Sequence, residues 1–230
     1  VKPVSWCIWE HEPLEIPADD INPATTPFDS VQESQLAFIS SPGILLDALT
    51  FPPDEGAAIA EAITNGTAVS VSDGSYDSVL QRGSSAFIIS PEVDNRDESM
   101  FISGANFTTG NPSDQSAYRS ELAGAIAILS TVDLLVSHYQ ITSGSITIAF
   151  DGEAALKEAS SREVLSVTQK SFDYLQVIHN RVKALPIEVH WRWVKGHQVD
   201  LGVENIDWWE WGNNIVDGAA KFFLSDAYTV

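Results

Sequence analysis

The sequence predicts an α/β domain built on a five-stranded mixed sheet flanked by helices, in the order βββαβαβα, with a proline-rich N-terminal extension. Three observations predict it. Beyond residue 66, strand-like segments follow one another at hairpin spacing over 67–73, 83–90 and 100–107. Residues 118–138 then carry Leu122, Ala125, Ile126, Leu129, Val132 and Val136 at helical spacing. Thereafter strands and helices alternate, which implies parallel strands covered by helices.

Residues 1–66 hold eight of the eleven prolines, among them Pro13, Pro17, Pro23, Pro27 and the Pro52-Pro53 pair. Proline fixes the backbone and removes a hydrogen-bond donor, so long helices and central strands are disfavoured there. This stretch reads as an extended connector that leans on the main domain through Trp6, Trp9, Phe28, Phe38 and Phe51. Its one helical signal spans 54–64, where acidic residues lead an Ala/Ile run that Asn65-Gly66 ends. The domain proper is 67–230. Residues 145–150 alternate Ile146, Ile148 and Phe150 with small residues, as a strand does. A helical zone over 153–185, a strand over 187–194 and a closing helix over 205–225 complete the chain. Trp191 and Trp193 alternate on the fifth strand and are expected to pack in the core. Of Trp208, Trp209 and Trp211, at least one is expected to be exposed.

Bulk properties bound the function. The 230 residues suffice for one filled domain plus an extension. No apolar run approaches the roughly 20 residues of a membrane span, and the start lacks a basic-then-apolar leader pattern, so no membrane partner is expected. Cys7 is the lone cysteine, which excludes an internal disulfide and a cysteine-built zinc site and suits an intracellular compartment. The chain begins at Val1, as a processed chain or a piece of a longer one does. The formal charge of -20 opposes a phosphate backbone at long range. Residues 157–195 soften that objection. They hold Lys157, Arg162, Lys170, Arg181, Lys183, Arg192 and Lys195 against Glu158, Glu163, Asp173 and Glu188, although from charge alone a mixed-charge helix surface is the plainer reading.

Four acids stand where packing does not require them. Asp73 is read at the end of the first strand, in Ser72-Asp73-Gly74-Ser75, and Asp151 at the end of the fourth, in Ala149-Phe150-Asp151-Gly152. Glu121 lies one turn into the long helix on a face shared with Ala125, Ile128 and Val132, and Asp217 lies in the last helix four residues after Asn213. Singly each has an ordinary explanation: Asp-Gly is a common turn, a glutamate early in a helix complements the dipole, and Asp217 shares its side with Asn214 and Lys221. Together they would repel one another unless a cation sits among them. Hard oxygen ligands suit Mg²⁺ or Mn²⁺, and two such ions can hold the attacking water and leaving oxygen of a phosphodiester in line. The ions would also bring positive charge to an acidic surface.

Five segments carry a resemblance: Val71-Ser72-Asp73-Gly74-Ser75, Tyr118-Arg119-Ser120-Glu121-Leu122-Ala123, Ile148-Ala149-Phe150-Asp151-Gly152, Trp193-Val194-Lys195-Gly196-His197 and Asn213 through Lys221. In this order and spacing the chain resembles type 1 ribonuclease H, and more narrowly the ribonuclease H domains that follow reverse transcriptases in retroelement polyproteins. The resemblance spans about residues 67–226. It implies a ribonuclease H-like fold and hydrolysis of the RNA strand of RNA–DNA hybrids with two Mg²⁺ or Mn²⁺ ions. Asp73, Glu121, Asp151 and Asp217 would bind the metals, Asp73 bridging them. His197, on the loop after the fifth strand, would assist proton transfer and product release, a task suited to an imidazole. Gly74 and Ser75 would sense the ribose 2′-hydroxyl, and Asn213 would help order the last helix and its loop beside the substrate. An upstream reverse transcriptase is the implied covalent partner.

The sequence departs from the family at Ala117 and Tyr118, where amide residues are usual, and at Glu153, where a glutamine is usual. Two rival readings keep the fold: a non-catalytic binding or structural module of a retroelement polyprotein, and another nuclease of the same superfold. Neither accounts as well for four acids together with the Val194-Lys195-Gly196-His197 segment.

Overall fold

The computed structural model describes residues 48–196, 198 and 206–226. Trp6, Trp9, Phe28, Phe38 and His197 lie outside these residues. The described chain runs β1 (Ala48–Thr50), α1 (Ala57–Asn65), β2 (Ala68–Asp77), β3 (Arg82–Ser90), β4 (Ile102–Phe107), α2 (Ala117–His138), β5 (Ser145–Phe150), α3 (Glu153–Ala159), α4 (Phe172–Ala184), β6 (Glu188–Trp193) and α5 (Trp208–Asp226). The sheet is mixed, as expected, in the order β1-β4-β3-β2-β5-β6. Strands β2, β3 and β4 form an antiparallel meander, and β5 and β6 run parallel to β2.

Period-two alternation divides the sheet's two faces. Phe87, Ile89, Ile146, Ile148 and Phe150 join Leu122, Ile126, Leu129 and Leu175 on the face covered by α1 through α4. Val69, Val71, Ala86, Ile88 and Ala149 face α5 through Trp208, Trp209, Val216 and Ala220. Helix α2 is buried almost all round. Its polar Ser130 and Thr131 are accommodated because their hydroxyls donate to the carbonyls of Ile126 and Ala127 one turn back. By length and hydropathy this helix could cross a membrane, contrary to the expectation that no segment would qualify. However, 89% of its apolar window is buried inside the fold, so the sheet takes the place of lipid.

Other expectations need correction. The sheet has a sixth strand among the described residues, because Ala48–Thr50, within the stretch read as a connector, pairs antiparallel with β4. The predicted helix in that stretch is α1, whose Ile59 and Ile63 are fully buried in the main core. Strand β2 does not stop at Asp73 but continues to Asp77, because β3 goes on pairing with it as far as Asp77↔Arg82. The helical zone over 153–185 is split. Between α3 and α4, the hydroxyls of Ser160, Ser161 and Ser166 bond nearby backbone groups and compete with helix formation. Helix α5 starts at Trp208 because Asp207 and Glu210 cap it reciprocally, each carboxylate accepting from the other's backbone N–H.

The tryptophans also redistribute. Trp191 is half-buried and meets Phe150 edge-on at 6.1 Å, whereas Trp193 is 51% exposed rather than packed in the core. Trp208 and Trp209 are buried and Trp211 half-buried, so none of the three is the exposed one expected. Arg192 and Arg96 stack on Trp209 and Trp211, at 4.6 and 5.4 Å.

The burial of α1 generates a stability expectation. Ile63→Ala should cost about 2–5 kcal/mol in urea unfolding, the usual range for emptying a core position. A cost within ~0.5 kcal/mol, as at a surface site, would mean that α1 is not part of the cooperative core.

Candidate metal centre

The site arises where a strand ladder ends. Strands β2 and β5 pair in parallel up to Val71↔Ala149. Two residues further along each chain stand Asp73 and Asp151, which therefore project from adjacent positions on the face they share with the last registered pair. Glu121 reaches the same notch from the first turn of α2. That helix comes close because Gly74 has no side chain. A Cβ there would lie 2.5 Å from the backbone of Ser120 and Glu121, so any larger residue would push α2 off the strand. The Ser120 hydroxyl secures the crossing by donating to the Ser75 carbonyl, 3.0 Å away.

An ion pair between a buried arginine and an exposed aspartate anchors the same helical turn from its other side. The Arg119 guanidinium donates to both carboxylate oxygens of Asp173 on α4, at 2.9 and 2.6 Å, and to the Thr109 carbonyl at 2.8 Å. It also lies 3.6 Å over the Tyr174 ring. The Arg119 hydrogen bonds hold the Asp173 carboxyl below its ordinary range. Arg119 was not singled out from the sequence. A charged residue beginning a helix this apolar was the available signal.

Asp73, Glu121 and Asp151 each offer an oxygen within 4.8 Å of the others. Asp73 is 4% exposed and Glu121 8%. Such crowding resists ionisation. Burial, followed by the charges of Asp151 and Asp217, pushes the Asp73 carboxyl up to about 7, despite the Gly74 N–H that donates to it at 2.6 Å. Burial, then Asp73 and Asp151, raises Glu121 well above the carboxylate range. Glu121 Oε2 has no hydrogen-bond partner among the described residues. An orphaned buried oxygen in a purely carboxylate set fits a hard divalent cation, which would both neutralise the cluster and satisfy that oxygen.

The other sequence-predicted residues fall around this notch. Asp217 stands outside the three-carboxylate set, paired with Lys221 at 2.7 Å. Asn213 is 1% exposed, and neither amide atom has a partner among the described residues. Ser75 borders a groove with Tyr76, Ser78 and Lys221. Two features were not anticipated. Gly196 lies so close to Asp151 that a Cβ there would meet Oδ2 at 1.9 Å, and the exposed Trp193 donates its indole N–H to the Asp151 carbonyl at 3.0 Å. Contacts of this kind depend on the path of β6 beside β5 and leave no local sequence pattern.

The chain is similar to solved ribonuclease H domains. The N-terminal RNase H domain of a Mycobacterium tuberculosis protein, solved as a fusion with maltose-binding protein, aligns with a TM-score of 0.46 at 12% identity, covering 72% of this chain and 98% of that one. RNase H1 from the halophilic archaeon Halobacterium salinarum NRC-1 aligns with a TM-score of 0.45 at 10% identity, covering 70% of this chain and 99% of that one. No protein-family model and no curated protein matches the sequence.

Two outcomes follow from the geometry. With its carboxyl raised, folded Asp73 holds a proton that the unfolded chain releases above pH ~4, so its contribution to stability falls as pH rises towards 7. In chelator-treated protein, Asp73→Asn should therefore raise stability by about 1–3 kcal/mol at pH 8 and hardly at all near pH 4. Thermal melts across that range check it, and a variant no more stable at pH 8 would contradict the crowding. Gly196→Ala should displace the Asp151 carboxylate, and it should weaken divalent-cation binding by about tenfold or more in a calorimetric titration while the circular dichroism spectrum is kept.

Proposed function

We propose that this chain is a divalent-metal-dependent endonuclease of ribonuclease H type that hydrolyses the RNA strand of RNA–DNA hybrids. The observation that carries the nuclease reading is the buried Asp73–Glu121–Asp151 set with the unpartnered Glu121 oxygen. The hybrid substrate and the type 1 assignment rest on the five-segment resemblance, as does the upstream reverse transcriptase.

In this reading Asp73, Glu121 and Asp151 hold the cation side of the site, with Asp217 as a fourth ligand. Two Mg²⁺ or Mn²⁺ ions, when bound, would lower the pKa of the attacking water and stabilise the leaving 3′-oxygen. The protein's own part is positioning. Gly74 and Arg119 set the height of Glu121 above β2, and Gly196 with Trp193 sets the direction of Asp151. Gly74 and Ser75 are assigned the sensing of the ribose 2′-OH, and His197 is assigned the relay of a proton to or from solvent. Asn213 is assigned the ordering of α5 beside the substrate. Contacts would be mainly to sugar and phosphate, so cleavage should depend little on base sequence. The products would carry 5′-phosphate and 3′-hydroxyl ends.

The test is cleavage of an end-labelled RNA–DNA hybrid with Mn²⁺, Mg²⁺ or EDTA, beside single-stranded RNA, duplex RNA and duplex DNA. Cutting confined to the RNA of the hybrid, abolished by EDTA and reduced at least ~10³-fold by Asp73→Asn, is the expected result. Absence of cutting by a folded sample with either metal would favour a non-catalytic module. Unimpaired cutting by Asp73→Asn would place the metal elsewhere.

A further inference from the structure

Lys221 follows Asp217 by one helical turn on α5. Its Nζ donates to Asp217 Oδ2 at 2.7 Å, the lysine side chain being 55% exposed and the aspartate 16%. Asp217 follows Val216, which packs in one cluster with Val71 of β2, so α5 brings this carboxylate beside the strand that carries Asp73. Yet it is absent from the set of oxygens that come within 4.8 Å of one another. A carboxylate beside three others needs a counter-charge. On this protein a fixed ammonium supplies it in advance of any ion.

We propose that Lys221 is a positioning residue that withholds Asp217 from the three-carboxylate centre and thereby sets that centre's affinity for divalent cations. The proposal rests on the metal-centre reading above. Three acids then bind a first cation unaided. Recruiting Asp217 requires breaking an ion pair that is only half shielded from water, so a further cation has to compete with the ammonium for it. The lysine thus tunes occupancy without touching the reacting atoms. The i, i+4 spacing makes the pair local to α5, and its exposed end lets Lys221 be replaced without disturbing the core.

The experiment titrates Mn²⁺ alone, without nucleic acid, into the intact chain by calorimetry. Lys221→Met should bind Mn²⁺ about tenfold more tightly than the wild type, since Asp217 is released and a positive charge is lost. Lys221→Arg should stay close to wild type. Most of the gain should vanish when Lys221→Met is combined with Asp217→Asn, which separates release of that carboxylate from a general change in charge. Unchanged affinity in Lys221→Met, or a gain that survives in the double variant, would overturn the role of Lys221 while leaving the metal centre standing. If neither wild type nor Lys221→Met takes up Mn²⁺, the metal-centre reading itself fails, and this inference with it.

Discussion

The contact on which the rest of the site depends is the crossing of β2 over the first turn of α2. At Gly74 the strand backbone and the helix backbone come as near as two chains can without a side chain between them. Everything else about Glu121 follows from that distance. Were the helix a few ångströms higher, its carboxylate would reach water and ionise freely, and it would not share a notch with Asp73 and Asp151. The neighbouring interactions hold this crossing from several directions. Ser120 ties the helix to Ser75, Arg119 ties it to α4 through Asp173, and the apolar length of α2 fills the core beneath.

That closeness has an electrostatic consequence. Three carboxyl groups in a space largely removed from water cannot all be charged without compensation. Fold stability and cation affinity are therefore opposed in the metal-free protein: the arrangement that would grip an ion tightly is the one that strains the fold when no ion compensates it. At Asp151 the Gly196 backbone lies against the carboxylate, while the Trp193 indole N–H holds the residue's backbone carbonyl. The strain is local, because the large apolar clusters on both faces of the sheet hold its strands independently of the acids.

The net charge of -20 takes on a different meaning in this setting. Several cations of the 157–195 stretch are committed within the fold: Arg181 pairs with Asp133, Arg192 lies over Trp209, and Lys170 lies 5.7 Å from the Tyr118 ring. Part of the basic cluster in the sequence is thus engaged within the chain, while Lys170 and Arg192 stay exposed. In the proposed function, attraction for phosphate near the acids would come chiefly from bound metal, and long-range steering would be weak.

The mixed sheet, the alternation of strands and helices beyond residue 66, and the candidate acids of which three converge were legible in the sequence. Hydrophobic period and strand-end position are local properties, and they survive into the fold. It also contained the Lys221–Asp217 spacing, since four residues along a helix are neighbours whatever the surroundings. Only the tertiary structure decided the rest. The continuation of β2 past Asp73 depends on how far β3 stays paired with it, and the recruitment of Ala48–Thr50 depends on the free edge of β4. The exposure of Trp193 reverses the expectation from alternation, and none of Trp208, Trp209 and Trp211 is the exposed one expected, because burial is set by what packs above a strand or helix and not by its own period. The suppressed ionisation of Asp73 and Glu121 and the setting-apart of Asp217 are of the same kind. They arise from distances between residues far apart in the chain, and from the water that the fold excludes between them.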